Sequence, residues 1–188
     1  MRAVLIDPPE SFMRQRHERG ADRWDEVWEG VLHTVPPPRS WHQRFGFKLA
    51  SALDPIAESV GLIISYETGV FRPGPGERDY RVPDLVVARP KDVSKRGVEG
   101  AAQMVIEILS EGDESREKLP FYESVGVAEV LLVDPDTRAH ELYVLRGDKL
   151  HIALPQAGAV QSQVLGVSFS TADGPRFRLA WDCGAVEI

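Results

Sequence analysis

Two lone carboxylates interrupt the two most apolar stretches of the chain. Asp84 lies in the run VPDLVVA (residues 82–88), and Glu107 lies in the run QMVIEIL (residues 103–109). A carboxylate inside a buried strand is costly unless it is paired, hydrogen-bonded or bound to a cation. Two such residues on successive strands can meet at one edge of a sheet, where hard oxygen ligands suit magnesium or manganese.

A lysine follows the second carboxylate. Lys118 comes 118 − 107 = 11 positions after Glu107, at the start of the next predicted helix. An ammonium group there would lower the cost of the buried carboxylates and would steady a developing negative charge on a phosphate. The alternative is structural: Asp84 is a turn residue that hydrogen-bonds backbone, and Glu107 pairs with an arginine such as Arg116. The three residues together favour the functional interpretation.

Size and charge bound the class of protein. The chain has 188 residues, which predicts a single domain over residues 1–188 with a sizeable core. The formal net charge of −7 argues against a protein that coats nucleic acid by bulk electrostatics. The negative net charge does not exclude an enzyme that binds a phosphate locally through a metal ion.

Cysteine content and the N-terminal residues predict the compartment. Cys183 is the only cysteine, so an intramolecular disulfide and a cysteine-based zinc site are excluded. The apolar run at residues 3–6 is too short for a signal peptide or a membrane span. We therefore expect a cytoplasmic protein without a membrane partner.

Apolar periodicity predicts a mixed α/β (α+β) fold, in which helices flank a mixed sheet and hairpins fill the C-terminal half. Ser40 is predicted to cap the long helix, and Pro55 to kink or split it. The predicted helices cover residues 8–19, 41–60 and 114–125. The predicted strands cover residues 30–35, 62–66, 82–88, 103–109, 129–133, 139–145 and 150–153.

The stretches VPDLVV, VIEILS and EKLPFYESVGVAEVLLVDP, taken in this order, resemble the Uma-type family of predicted restriction endonucleases. That family belongs to the PD-(D/E)XK nuclease superfamily. The upstream piece WEGVLHTVPPPRSWHQ is also similar, with its acidic residue, strand, proline loop and helical histidine. The resemblance spans residues 24–150, and it rests on the order and spacing of the motifs as a set.

The resemblance implies a metal site. Asp84 matches the first metal-binding acid of the superfamily, Glu107 matches the second, and the carbonyl of Ile108 is a further ligand. The superfamily's lysine is expected at position 109, which is Leu109 here. Lys118, on the following helix, is the replacement.

Two further residues match the family's pattern. Glu29 corresponds to the acidic residue ahead of the first strand and is expected to join the metal shell. His42 corresponds to the histidine at the start of the long helix and is expected to touch phosphate. Tyr122 shares a helix face with Lys118, and packing against the sheet is its favoured role. The loop arginines Arg72, Arg78 and Arg81 are expected to be solvated and are the local candidates for phosphate contacts.

The implied function is a metal-dependent DNA endonuclease with a restriction-endonuclease-like fold. The implied cofactor is Mg²⁺ (or Mn²⁺), the substrate is DNA, and the assembly is a homodimer. Two alternatives stay open: a catalytically inactive nucleic-acid-binding or regulatory protein that keeps the nuclease fold, and a dimeric scaffold. Lys118 turned to solvent, or carboxylates that face apart, would favour the inactive protein.

Overall fold

A computed structural model describes residues 3–6, 8–74, 79–112 and 114–188. Its centre is a six-stranded mixed sheet that carries both lone carboxylates. The two central strands are parallel, and the other neighbours are antiparallel. In spatial order the strands are β12 (Lys149–Ile152), β11 (His140–Arg146), β10 (Glu129–Val133), β9 (Met104–Ile108), β7 (Leu85–Ala88) and β4 (Ile63–Tyr66).

A second six-stranded sheet is built mainly from the N-terminal part of the chain. Its strands are short, and all neighbours are antiparallel except the last pair. In spatial order they are β1 (Ala3–Leu5), β3 (Val31–Thr34), β2 (Glu26–Trp28), β6 (Tyr80–Arg81), β5 (Val70–Phe71) and β8 (Val98–Glu99).

The C-terminal residues form a third, antiparallel sheet. Its strands are β13 (Ala159–Gln161), β14 (Ser168–Ala172), β15 (Arg176–Trp181) and β16 (Gly184–Glu187). Buried Glu129 of the central sheet fixes the β13–β14 connection, because its carboxylate accepts hydrogen bonds from Ser162 Oγ and from the backbone N–H of Gln163. The predicted mixed sheet with flanking helices and a hairpin-rich C-terminal half is confirmed.

In the described part of the chain, the α-helices are α1 (Glu10–Glu18), α2 (Ser40–Ser59) and α3 (Leu119–Ser124). Pro55 lies inside α2 without ending it, so the helix is not split. Its side chain is exposed. The predicted helix over 114–125 is instead a 3₁₀ turn (Arg116–Lys118) followed by α3. Among the described residues, no helix combines the length and apolar composition that crossing a membrane requires.

The two faces of the central sheet bury separate hydrophobic clusters. Leu85 and Ile106 point to the face covered by α2 and the C-terminal sheet. Val86 and Val105 point to the opposite face, where α3 packs. Since side chains alternate along a strand, Glu107 shares the second face with Val105. The carboxylate therefore points toward α3 and the turn before it.

Candidate active site

Strand register brings the two lone carboxylates together. Leu85 of β7 pairs with Ile106 of β9, so the next step places Asp84 opposite Glu107. Asp84 Oδ2 accepts a hydrogen bond from the backbone N–H of Ile108 at 2.6 Å. This is the backbone contact that a purely structural role would provide, but it also fixes the Asp84 carboxylate at the carboxyl end of β9, beside Glu107.

Lys118 is turned into the protein rather than to solvent. Its Nζ lies 3.1 Å from Glu107 Oε1 and 2.8 Å from Glu26 Oε1, and its side chain is 8% exposed. The 3₁₀ turn that follows β9 brings the lysine back over the second face. Glu107 does not pair with Arg116, whose guanidinium instead contacts Glu141 at 2.6 Å.

The acidic residue that β2 brings to the cluster is Glu26, not Glu29. Glu29 is exposed in the β2–β3 turn, where φ is +49° and its backbone N–H donates to Asp79. No hydrogen bond or ion pair joins Glu29 to the cluster within the described part of the chain. Glu26 is buried, and it accepts hydrogen bonds from Trp28 Nε1 at 2.8 Å and Val82 N at 2.9 Å. The EVW alternation, which puts Glu26 and Trp28 on one face, was the available sequence signal.

Tyr122 both packs and hydrogen-bonds. Its ring lies in the cluster on the second face, edge-on to Phe121, and its hydroxyl donates to Glu107 Oε1. Complete burial and the neighbouring carboxylates raise the pKa of Tyr122 well above its ordinary value. The hydroxyl therefore stays protonated and serves as a fixed donor to Glu107.

His42 reaches the same strand ends from α2, on the other side of the sheet. Its Nε2 lies 2.8 Å from the carbonyl oxygen of Ile108 and 3.5 Å from Asp84 Oδ1. Because a carbonyl only accepts, Nε2 carries the proton. His42 Nδ1 is buried without a hydrogen-bond partner in the described structure. The histidine thus contacts the predicted metal ligands directly.

Burial and charge shape the proton affinities of the cluster. Burial raises the pKa of Glu107 to about 7, and the charges of Asp84 and Glu26 act in the same direction, while Lys118 and Tyr122 oppose it. Burial acts to lower the pKa of Lys118, but Glu107 and Glu26 outweigh it and hold that pKa above its ordinary value. Lys118 is therefore a fixed positive charge near neutral pH rather than a base.

Comparison with known proteins gives the family. The family model Uma2, described as "Putative restriction endonuclease", matches residues 9–172. The chain belongs to the Uma2 family. The resemblance predicted from the motifs is therefore confirmed.

A solved structure shares the fold of this Uma2-family chain. It is the crystal structure of "a putative nuclease belonging to DUF820" from Anabaena variabilis ATCC 29413. The TM-score is 0.59 at 18% sequence identity, and the match covers 75% of this chain and 83% of the other. At that identity the likeness shows the fold alone. No curated protein matches the chain.

The donor set of this Uma2-family chain fits a hard divalent cation that keeps part of its water shell. The available oxygens are the carboxylates of Asp84 and Glu107 and the carbonyl of Ile108. No group of three or more His, Cys, Asp and Glu side chains placed to hold a metal occurs among the described residues. Two side chains and one carbonyl are nevertheless typical of Mg²⁺, which binds few protein ligands. The cluster has a net charge of −2 when its acids are ionised, because three carboxylates (Asp84, Glu107 and Glu26) accompany one ammonium (Lys118). A divalent cation would offset these two charges.

The two loop arginines that the structure describes both form contacts within the protein. Arg81 is buried, its Nη1 donates to the carbonyl of Val27 at 2.7 Å, and its guanidinium lies 4.2 Å from the Phe121 ring. The prediction of solvent exposure is therefore wrong for Arg81. Arg72 pairs with Asp79 at 2.9 Å. Arg78 lies outside the described residues.

Proposed function

We propose that this Uma2-family chain is a metal-dependent endonuclease that hydrolyses phosphodiester bonds in DNA. The observation that carries the proposal is the buried Lys118 ammonium against Glu107, with Asp84 opposite on the neighbouring strand. A buried cation that touches one of two clustered carboxylates is expensive as a purely structural device. The arrangement suits phosphoryl chemistry, since a nearby positive charge stabilises the negative charge that grows on the phosphate as the bond breaks.

Asp84, Glu107 and the carbonyl of Ile108 would hold Mg²⁺ or Mn²⁺. When bound, the cation would supply positive charge to the phosphate and make a nearby water more acidic. His42 holds the Ile108 carbonyl and lies beside Asp84, so we assign it the positioning of these two donors. Because the His42 ring faces these two protein groups, we prefer this positioning role to the phosphate contact predicted from the sequence.

Lys118 would orient the attacking water and offset the charge that develops on the phosphate. Its raised pKa keeps it protonated, so it does not remove the proton from the water. Glu26 holds the ammonium from the other side, at 2.8 Å, and Tyr122 holds the carboxylate of Glu107. From this segment we therefore assign a role to Glu26, as the partner of Lys118, and none to Glu29, which was expected to join the metal shell.

We further infer that residues 1–188 act as a single domain and that the active assembly is a homodimer. The hydrophobic cluster that contains Leu131 of the central sheet also contains Phe169 and Phe177 of the C-terminal sheet, which supports one folding unit. A two-fold dimer, the commonest symmetric assembly, would present one cluster to each strand of a duplex. Sedimentation equilibrium of the purified chain tests the assembly.

A nuclease assay over a series of divalent metals tests the activity. Supercoiled plasmid is incubated with the wild type or with Glu107→Gln, in Mg²⁺, Mn²⁺, Ca²⁺ or EDTA, and nicked and linear products are measured. We expect metal-dependent cutting by the wild type and at least about 100-fold less by the variant. If the folded wild type cuts no DNA with any metal, the proposal is wrong, and the two remaining functions are the inactive nucleic-acid-binding or regulatory protein and the dimeric scaffold.

A further inference from the structure

One side of α2, the helix that carries His42, has exposed basic and aromatic residues. We define the basic–aromatic face as Arg39, Trp41, Arg44, Phe47 and Lys48, of which Arg39 immediately precedes the helix. All five are exposed, and the two aromatic side chains remain 76% (Trp41) and 70% (Phe47) accessible. The opposite side of α2 supplies core residues, so the helix is fully partnered on one side and open on the other.

The charge of this face opposes the charge of the whole chain. No Asp or Glu occurs between Glu29 and Asp54, whereas the chain as a whole has a net charge of −7. The three cations of the basic–aromatic face form no ion pair with any described residue. Several arginines elsewhere are paired with acids; for example, Arg96 pairs with Glu99, and Arg116 pairs with Glu141. The face is therefore a local positive patch whose charges are not paired with acidic side chains of the described residues.

The basic–aromatic face begins at the end of α2 that carries His42. His42, the neighbour of Trp41 in α2, contacts the carbonyl of Ile108 at 2.8 Å and lies 3.5 Å from Asp84. From Trp41 to Lys48 the helix advances about 10 Å at 1.5 Å per residue. At about 3.4 Å per nucleotide of one strand, the face matches roughly three nucleotides.

We propose that the basic–aromatic face binds a nucleic-acid strand and guides it to Asp84 and Glu107. The cations would contact phosphates, and Trp41 and Phe47 would stack on bases or pack against sugars. This inference rests on the proposed function for the identity of the strand as substrate. A second copy of the chain is the competing occupant of an exposed apolar surface. A two-fold contact through this face would set cations against cations, which disfavours it.

Fluorescence anisotropy with a short fluorescein-labelled DNA duplex, and with one of its strands alone, tests the assignment. All proteins carry Glu107→Gln so that the probe is not cut, and binding is measured in EDTA and in Mg²⁺. The test variant is Arg44→Gln/Lys48→Gln. The matched control is Lys91→Gln/Arg146→Gln, which removes two exposed cations where β9 begins, at the end of the sheet away from Asp84.

We expect the test variant to bind at least about tenfold more weakly, with the slope of log Kd against log salt reduced by about two. The control should bind as the parent does. Trp41→Ala should weaken binding of the single strand by about fivefold or more. Equal affinities for the test and control variants would overturn the inference. So would a Trp41→Ala/Phe47→Ser variant that turns a dimer into a monomer while its DNA affinity is unchanged.

The two proposals fail separately. If the wild type cuts DNA and Arg44→Gln/Lys48→Gln cuts it with the same KM, the hydrolytic function stands and the binding face is wrong. If the variants bind as expected while the wild type cuts nothing in any metal, the binding face stands and the hydrolytic function is wrong.

Discussion

Glu26 and Lys118 form a buried ion pair across 118 − 26 = 92 positions of sequence, with Lys118 Nζ 2.8 Å from Glu26 Oε1. The pair joins two different sheets, because Glu26 lies on β2 and Lys118 follows β9 of the central sheet. The same ammonium contacts Glu107. One cation thus holds two carboxylates that would otherwise be buried without a countercharge.

Replacing Lys118 by Met should destabilise the fold strongly. The change leaves the carboxylates of Glu26 and Glu107 buried without a countercharge, at a cost of about 3–5 kcal/mol. Urea unfolding followed by circular dichroism measures this cost. The triple variant Lys118→Met/Glu26→Gln/Glu107→Gln should recover much of the loss, because no buried charge remains from the three residues. A loss below about 1 kcal/mol for Lys118→Met would contradict the paired geometry.

Glu26→Gln and Glu29→Gln form a matched pair of variants that separates two neighbouring acids. Glu26→Gln removes the carboxylate that holds Lys118, so cleavage should fall by about 10–100-fold, the usual effect of a partner behind the reacting groups. Glu29→Gln changes an exposed turn residue and should cut DNA as the wild type does. Initial rates of plasmid nicking in Mg²⁺ decide between them. Loss of activity in Glu29→Gln alone would restore the assignment made from the sequence.

Glu107→Gln should lower cleavage by at least about 100-fold while the protein stays folded. Glutamine keeps the shape of the side chain and an acceptor for Tyr122, whereas Lys118 retains Glu26 as its countercharge. The variant should also bind Mg²⁺ more weakly, which isothermal titration calorimetry measures. Wild-type cleavage by a correctly folded Glu107→Gln would remove Glu107 from the chemistry.

Metal affinity should depend on pH through Glu107. Its pKa is raised from an ordinary 4.5 to about 7. Below about pH 7 the carboxyl is therefore protonated, and a metal ion must displace that proton in order to bind. Mg²⁺ affinity should consequently rise between about pH 6 and pH 8. In the metal-free protein the stability of the fold changes with pH in the opposite direction. The folded state binds the proton more tightly than the unfolded state, so the stability that this proton contributes is lost as pH rises from 4.5 toward 7. Both slopes should flatten in Glu107→Gln. Calorimetric titration and urea unfolding in EDTA, each repeated across this pH range, provide the check.

Gly46→Ala tests the packing behind the site. A Cβ at Gly46 would lie 2.7 Å from the Tyr66 hydroxyl oxygen and 3.0 Å from Ile108 Cδ1. Alanine favours a helix over glycine by about 1 kcal/mol, but overpacking costs about 1–3 kcal/mol and displaces Tyr66 from Gln43. We expect net destabilisation by thermal unfolding. The exposed Ser51→Ala in the same helix is the control and should be neutral or stabilising.

The sequence predicted the parts of the site that lie in strongly patterned segments. A lone charge in a long apolar run is conspicuous, which is why Asp84 and Glu107 stood out, and their strands pair as expected. Lys118 followed from its place after β9. Glu26 was not predicted because the alternation in β2 covers only three residues, which is weak evidence for a strand, and because the family resemblance pointed to Glu29. Only the tertiary pairing of β2 with its neighbours distinguishes the buried acid from the exposed one.

The fold was predicted where periodicity spans many residues. The long helix and the central strands agree with their predicted positions within a few residues. The predicted Ser40 cap is absent, since Ser40 is the first helical residue and no side-chain cap forms. The sheet of β13 to β16 was not predicted, because its strands mix small, polar and apolar residues without clear alternation. Their stability comes from contacts such as those of Phe169 and Phe177, which the local sequence does not reveal.

The ion pair between Glu26 and Lys118 has a consequence for the newly made chain. The cluster is complete only when β2 has docked against the segment after β9, so an unfinished or partly opened molecule leaves Lys118 without one of its two anchors. Formation of the site and completion of the fold are therefore the same event. In the proposed nuclease, a copy in which β2 has not docked would therefore lack the fully anchored lysine that we assign to catalysis.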